Sequence, residues 1–182
     1  MLRDECRSAD HLRVQVFDGV IGVLDGQLWI AADAGDIGPD MYASFSGQQN
    51  GLLGAAEDGM LRLITGVADG EVRLTVHVVE REPQLDDSWE DCVEASFSPP
   101  APVVALFDWD GAAVFEFPLG EDSYRVRYTT RGADAGHAGA ETEVSGLLFW
   151  PAPPGPDVIV RQTSKSAAYW HAEAARWREL GL

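Results

Sequence analysis

Apolar and polar residues alternate with a period of two over most of the first 150 residues, the pattern of strands with one buried face. His11 to Phe17 puts Leu12, Val14 and Val16 on one side. Asp18-Gly19 and Asp25-Gly26 then bracket VIGVL, with QLWIAA behind, which predicts two consecutive hairpins. Residues 33–59 are rich in Gly, Asp, Ser and Gln and read as one long loop around a short strand near Met41 to Phe45. Loops of that length are functional or mobile. Strands resume at Met60 to Thr65. Glu71 to Glu80 then sets Val72, Leu74, Val76 and Val78 against a solvated face of Arg73, Thr75 and His77. Trp89 to Phe97 alternates again, with Cys92 half-buried on its strand, until the prolines of SPPAP, which cannot donate to a ladder, end it. Val103 to Phe107 and Ala112 to Phe117 flank a turn at Asp108 to Gly111. Ser123 to Arg131 opposes Tyr124, Val126 and Tyr128 to Arg125 and Arg127, and Glu141 to Trp150 follows the loop GADAGHAGA.

The pattern changes after Trp150. PAPPGP is an extended, semi-rigid spacer, and DVIVR at Asp157 to Arg161 suits an edge strand. Thr163 or Ser164 can cap a helix over Lys165 to Leu180, with Trp170, Ala174 and Trp177 in an apolar stripe and Gly181 as its stop. The expected organisation is a β-sandwich domain over 1–150, a Pro-rich spacer and possible edge strand over 151–163, and a C-terminal helix over 164–182 packed on the domain or on a partner. The fold class is mainly β: an antiparallel β-sandwich of nine or ten strands with a C-terminal α-helix. No βαβ pattern occurs, so doubly wound folds are excluded.

Charge narrows the partners. The 182 residues carry 30 acidic and 13 basic side chains, a formal −17, and Lys165 is the single lysine. Such a surface repels phosphate and anionic lipid, so direct nucleic-acid and membrane binding are not expected; it favours a basic partner by steering. The same charge also serves solubility. No run of about 20 apolar residues spans a bilayer, no apolar core follows MLRDECRSAD as in a secretory signal, and Cys6 and Cys92 cannot make a disulfide framework, so a reducing, cytoplasmic setting is expected. The densest acidic stretch, Glu80 to Glu94, holds seven acids against Arg81, or −6 in 15 residues. It reads as a solvated connection and a docking surface for a basic protein.

Chemistry is sparse. The chain has no GxSxG, no GxxxxGK[ST], no GxGxxG after a strand and no EF-hand pattern; His11, His77, His137 and His171 lack metal spacing. No catalytic residue, cofactor or metal is expected, and the chain reads as a non-enzyme. The acids Asp33, Asp36 and Asp40 mark the long loop, and Asp108 and Asp110 flank Trp109, an interface anchor if exposed. The partner-binding set is therefore Glu82, Asp86, Asp87, Glu90, Asp108, Trp109 and Asp110. An alternative is an assembly module, such as a homodimer, docking through the helix that carries Trp170 and Trp177.

The order of features from Trp89 onward resembles the competence protein J family. The strand led by Trp89 with Val93 and Phe97, the run Phe115-Glu116-Phe117-Pro118-Leu119-Gly120, the strand Tyr124-Arg125-Val126-Arg127-Tyr128 and a late strand around Leu147 and Phe149 carry the likeness, over the middle half of the chain. The long 33–59 loop, PAPPGP and the terminal helix depart from it. The resemblance implies an all-β, non-catalytic inhibitor of a DNA-entry nuclease and carries over no binding residue.

Overall fold

A computed structural model describes residues 13–33, 40–138 and 143–182; Cys6, His11, Asp36 and the side chain of His137 lie outside the described residues. Eleven described strands form two sheets: β1 Arg13–Val23, β2 Gln27–Ala31, β3 Leu53–Gly54, β4 Leu61–Ile64, β5 Gly70–Val79, β6 Asp91–Phe97, β7 Val103–Phe107, β8 Ala113–Pro118, β9 Tyr124–Arg131, β10 Val144–Pro151 and β11 Val158–Arg161. One sheet has the order β1-β5-β10-β9-β6-β11, the other β3-β4-β2-β7-β8. Their inner faces meet through Val72, Leu74, Val93, Val126, Tyr128, Leu147 and Phe149 from the first and Leu28, Ile30, Leu61, Leu63, Leu106 and Phe117 from the second. These are the residues the period of two selects, since alternate side chains point to opposite faces.

One strand pair departs from antiparallel pairing: β10 runs parallel to β5, Leu147 opposite Val76. The two aspartate-glycine dipeptides that bracket VIGVL also part ways. Asp25 and Gly26 both take positive φ, 52° and 65°, and make the expected tight turn. Asp18-Gly19 makes none: β1 runs straight through it, pairing Gly19 with Leu74. A Cβ on Gly19 would stand 2.8 Å from the Phe17 ring, so the glycine here makes room for an aromatic. Phe17 in turn stacks on Phe115 at 4.2 Å and closes the side between β1 and β8.

Met41 to Phe45, expected as a strand, is a short helix, α1 Met41–Phe45. Asp40 caps it by accepting from the Tyr42 amide at 2.8 Å. The C-terminal helix, α2 Lys165–Leu180, has Ser164 as its cap and Gly181 in the left-handed conformation at its end. Its stripe is used within the chain: Ala167, His171, Ala174 and Trp177 are buried, and Trp177 packs against Tyr42 and Phe45 of α1. Gly51 is forced by this contact, because a Cβ there would lie 2.0 Å from the Trp170 carbonyl oxygen. Removal of the residues after Trp150 is expected to lower the melting temperature and leave the oligomeric state unchanged, as read by calorimetry and light scattering.

His171 ties the helix down by accepting from the Gly51 amide on Nδ1 at 3.0 Å. Burial holds its pKa below the ordinary 6.5, against the pull of Asp91 and Asp157. The neutral ring belongs to the folded state, so its contribution is present above pH 6.5 and lost as pH falls through the lowered value. Stability is expected to drop on acidification in that window. His171→Asn, which keeps an acceptor near Nδ1, should flatten this part of a pH–melting curve.

Candidate acidic interaction surface

β5 and β6 run in the same direction with β10 and β9 between them, so their connection must cross the outer face of the first sheet from end to end. That connection is the acidic segment. Outward-pointing arginines hold it. Arg127 donates to Glu82 at 3.1 Å and to the Pro83 carbonyl at 2.7 Å. Arg161 donates to Asp87 at 2.8 Å and to the Trp89 carbonyl at 2.9 Å. Arg131 lies over the Trp89 ring, 5.3 Å from its centroid. Glu94 accepts from both Arg125 and Arg127, the latter only 4% exposed. Counting Arg125, Arg127, Arg131 and Arg161 changes the local formal charge from −6 to −2.

Asp91, counted with that solvated segment, is instead fully buried. It accepts from the amides of Thr163 at 2.8 Å and Ser164 at 3.0 Å and from the Thr130 hydroxyl at 3.2 Å, and so fixes the start of α2. Two other readings change in the same way. His77, on the face expected to be solvated, is buried. Cys92, expected half-buried on its strand, is buried outright, and burial pushes its thiol up to about 12. Such a thiol is a packing group and not a nucleophile. Alkylation by iodoacetamide at neutral pH is expected to leave Cys92 unmodified until the chain is denatured, as mass spectrometry would record.

Strand directions sort the turns. The β1–β2, β4–β5, β7–β8 and β9–β10 connections, the end of the acidic strap and the start of α2 all lie at one end of the sandwich. Asp86, Asp87, Glu90, Asp108, Trp109 and Asp110 belong to that end; Glu82 does not, because Arg127 holds it over the middle of the sheet. Trp109 is 41% exposed at the tip of the β7–β8 hairpin. Asp108 shapes that hairpin by accepting from the Ala112 amide at 2.9 Å. Glu90 accepts from the Gly132 amide at 2.9 Å.

Three further acids join this end: Asp25, Asp69 and Asp134. In the sequence the first two are turn formers and the third is one residue of a small-residue loop. Asp134 accepts from the Lys165 and Ser166 amides at 3.0 and 2.9 Å, and these bonds hold its pKa low. Asp25, Asp134, Lys165, Tyr169 and Trp170 face a cavity of about 540 Å³. Its walls are fixed by a buried carboxylate: Glu143 accepts from the Gly66 and Val67 amides at 3.0 and 2.7 Å. Burial raises the pKa of Glu143 while those two bonds oppose the shift. Glu143→Gln turns one acceptor into a donor facing an amide and is expected to cost about 2 kcal/mol. Faster amide exchange at Gly66 and Val67 would accompany the loss. Among the described residues no three His, Cys, Asp or Glu side chains converge as metal ligands.

No protein-family model and no curated protein sequence matches the chain. Two solved structures share its fold. ComJ from Bacillus subtilis, an inhibitor of the DNA-degrading activity of NucA, aligns with a TM-score of 0.55 at 11% identity, over 78% of this chain and 99% of that one. The protein described as crocagin biosynthetic gene J aligns with a TM-score of 0.50 at 11% identity, over the same shares of 78% and 99%. The likeness implied by the strand order from Trp89 onward is thus a likeness of fold.

Proposed function

We propose that the chain is a non-enzymatic, inhibitor-type binding protein whose acidic end masks a basic protein such as a nuclease. The observation that carries this reading is the gathering of Asp25, Asp69, Asp108, Asp110 and Asp134 at one end of a fold shared with a nuclease inhibitor. A nuclease receives a polyanion in a basic cleft, and carboxylates on rigid turns can occupy the places of phosphates. Opposite charge then speeds encounter and makes it salt-sensitive. Trp109, exposed among these acids, supplies an aromatic anchor of the kind that dominates interface energetics. The strap residues Glu82, Asp86 and Asp87 contribute less, since Arg127, Arg131 and Arg161 lie beside them.

The test is a DNA-degradation assay with NucA, the nuclease that ComJ inhibits, and with basic nucleases beside it. Added in equimolar amount at low salt, the protein is expected to suppress degradation. Undiminished degradation across a panel of basic nucleases would count against the reading.

A further inference from the structure

We propose that the cavity at the acidic end receives one arginine side chain of the partner, its guanidinium set against Tyr169 and Trp170 and paired with Asp25 and Asp134. The proposal rests on the reading that the partner is basic, and adds which cationic group is recognised and where. The volume, about 540 Å³, leaves ample room for a guanidinium and its stem beside Tyr169 and Trp170.

The lining chooses among ligands. Two carboxylates against the single ammonium of Lys165 leave the cavity negative, which disfavours phosphate. Among the described residues the Asp25 carboxylate has no hydrogen bond or ion pair, and Lys165 has no ion pair. Asp134 is already oriented by two amides, yet each of its oxygens keeps a lone pair for a donor. Tyr169, 58% exposed and edge-on to Trp170 at 5.2 Å, offers an aromatic face. A flat, delocalised cation matches a ring face and a carboxylate fork together, whereas a lysine ammonium, a compact hydrated point charge, matches neither as well.

The walls are preorganised. Glu143 fixes the Gly66 side, and Gly66 approaches Ala133 so closely that a Cβ would meet its carbonyl oxygen at 2.5 Å. Asp91 and Ser164 fix the helix that carries Tyr169 and Trp170. A site held in shape before the ligand arrives loses less freedom on binding.

The experiment titrates the full chain with N-acetyl-arginine amide and follows amide and indole signals by NMR. N-acetyl-citrulline amide, of the same shape without the charge, and a neutral disaccharide serve as comparisons. Expected is a saturable shift centred on Gly26, Gly66, Tyr169 and Trp170, with the citrulline compound at least about tenfold weaker. Tyr169→Ala and Asp25→Asn should each reduce it; both positions are exposed, and asparagine tolerates the positive φ of residue 25. Equal responses to arginine and citrulline, shifts elsewhere, or a response to the disaccharide alone would overturn the proposal. Binding of the two variants to a basic nuclease is measured alongside. If the nuclease binds while the arginine derivative does not, the cavity assignment fails and the broader reading stands. If the derivative binds and no basic protein does, the reverse holds.

Discussion

Asp91→Ala is expected to destabilise the whole chain by about 3 kcal/mol, because it takes the acceptor away from the Thr163 and Ser164 amides and leaves the buried Thr130 hydroxyl without its partner. For a domain of this size that is a fall of about 6–12 °C in melting temperature. The effect reaches beyond one strand. Asp91 opens β6, the amides it binds open α2, and α2 seals the side of the sandwich through Trp177 and Phe45. Asp91→Asn should cost far less, since the amide oxygen still accepts from both backbone amides and the Thr130 hydroxyl can turn to accept. Asp87→Ala, only a few residues earlier, removes an exposed pair with Arg161 and is expected to cost less than about 1 kcal/mol. Denaturant unfolding of the three variants checks the order. Equal losses at Asp87 and Asp91 would mean that the buried carboxylate does not organise the start of α2.

The second large effect concerns binding. Changing Asp25, Asp108, Asp110 and Asp134 together to asparagine is expected to slow association with a basic nuclease at low salt by roughly 10- to 100-fold. Asparagine keeps the acceptor that Asp108 offers to Ala112 and one of the two that Asp134 offers to α2, and the amide left over lies at an exposed turn where water can accept from it, so the fold should survive. On the strap, Glu82→Gln, Asp86→Asn and Asp87→Asn together remove three charges for comparison. There the effect should be several-fold smaller, because neighbouring arginines already offset those acids. Stopped-flow mixing of the two variants separates the end from the strap as the docking surface.

Local rules carried the strands and the last helix. Period-two alternation picks out Val72, Leu74, Val126 and Tyr128 as core, and Ser164 with Gly181 brackets α2 at both ends. Local rules fell short where two residues look alike and tertiary context decides. Asp25-Gly26 turns and Asp18-Gly19 does not, because β5 pairs along the whole of β1 and Phe17 takes the space beside Gly19. Met41 to Phe45 is helical because Asp40 caps it, although five residues are too few to display a helical period.

The candidate site was half legible. Asp108, Trp109 and Asp110 stand out as an exposed acidic hairpin in sequence and in space. The weight placed on Glu80 to Glu94 shifts, because charge counted along the chain omits arginines that arrive from other strands. Arg127 is 33 residues from Glu94, and Arg161 is 74 from Asp87. The parallel β5–β10 pair turns that connection into a strap, and strand order is not written in any local pattern. Asp25 and Asp134, 109 positions apart, meet at one cavity only once the turns are sorted by end.

The most direct measurement is the rate at which the protein associates with a basic DNA-degrading nuclease as ionic strength rises from about 0.01 to 1 M, over which the screening length falls from about 30 to 3 Å. Expected are fast association at low salt, a steep fall as salt rises, and suppression of DNA degradation in proportion to complex formed. Association that is absent at low salt, or that does not change with salt, would contradict the proposed function.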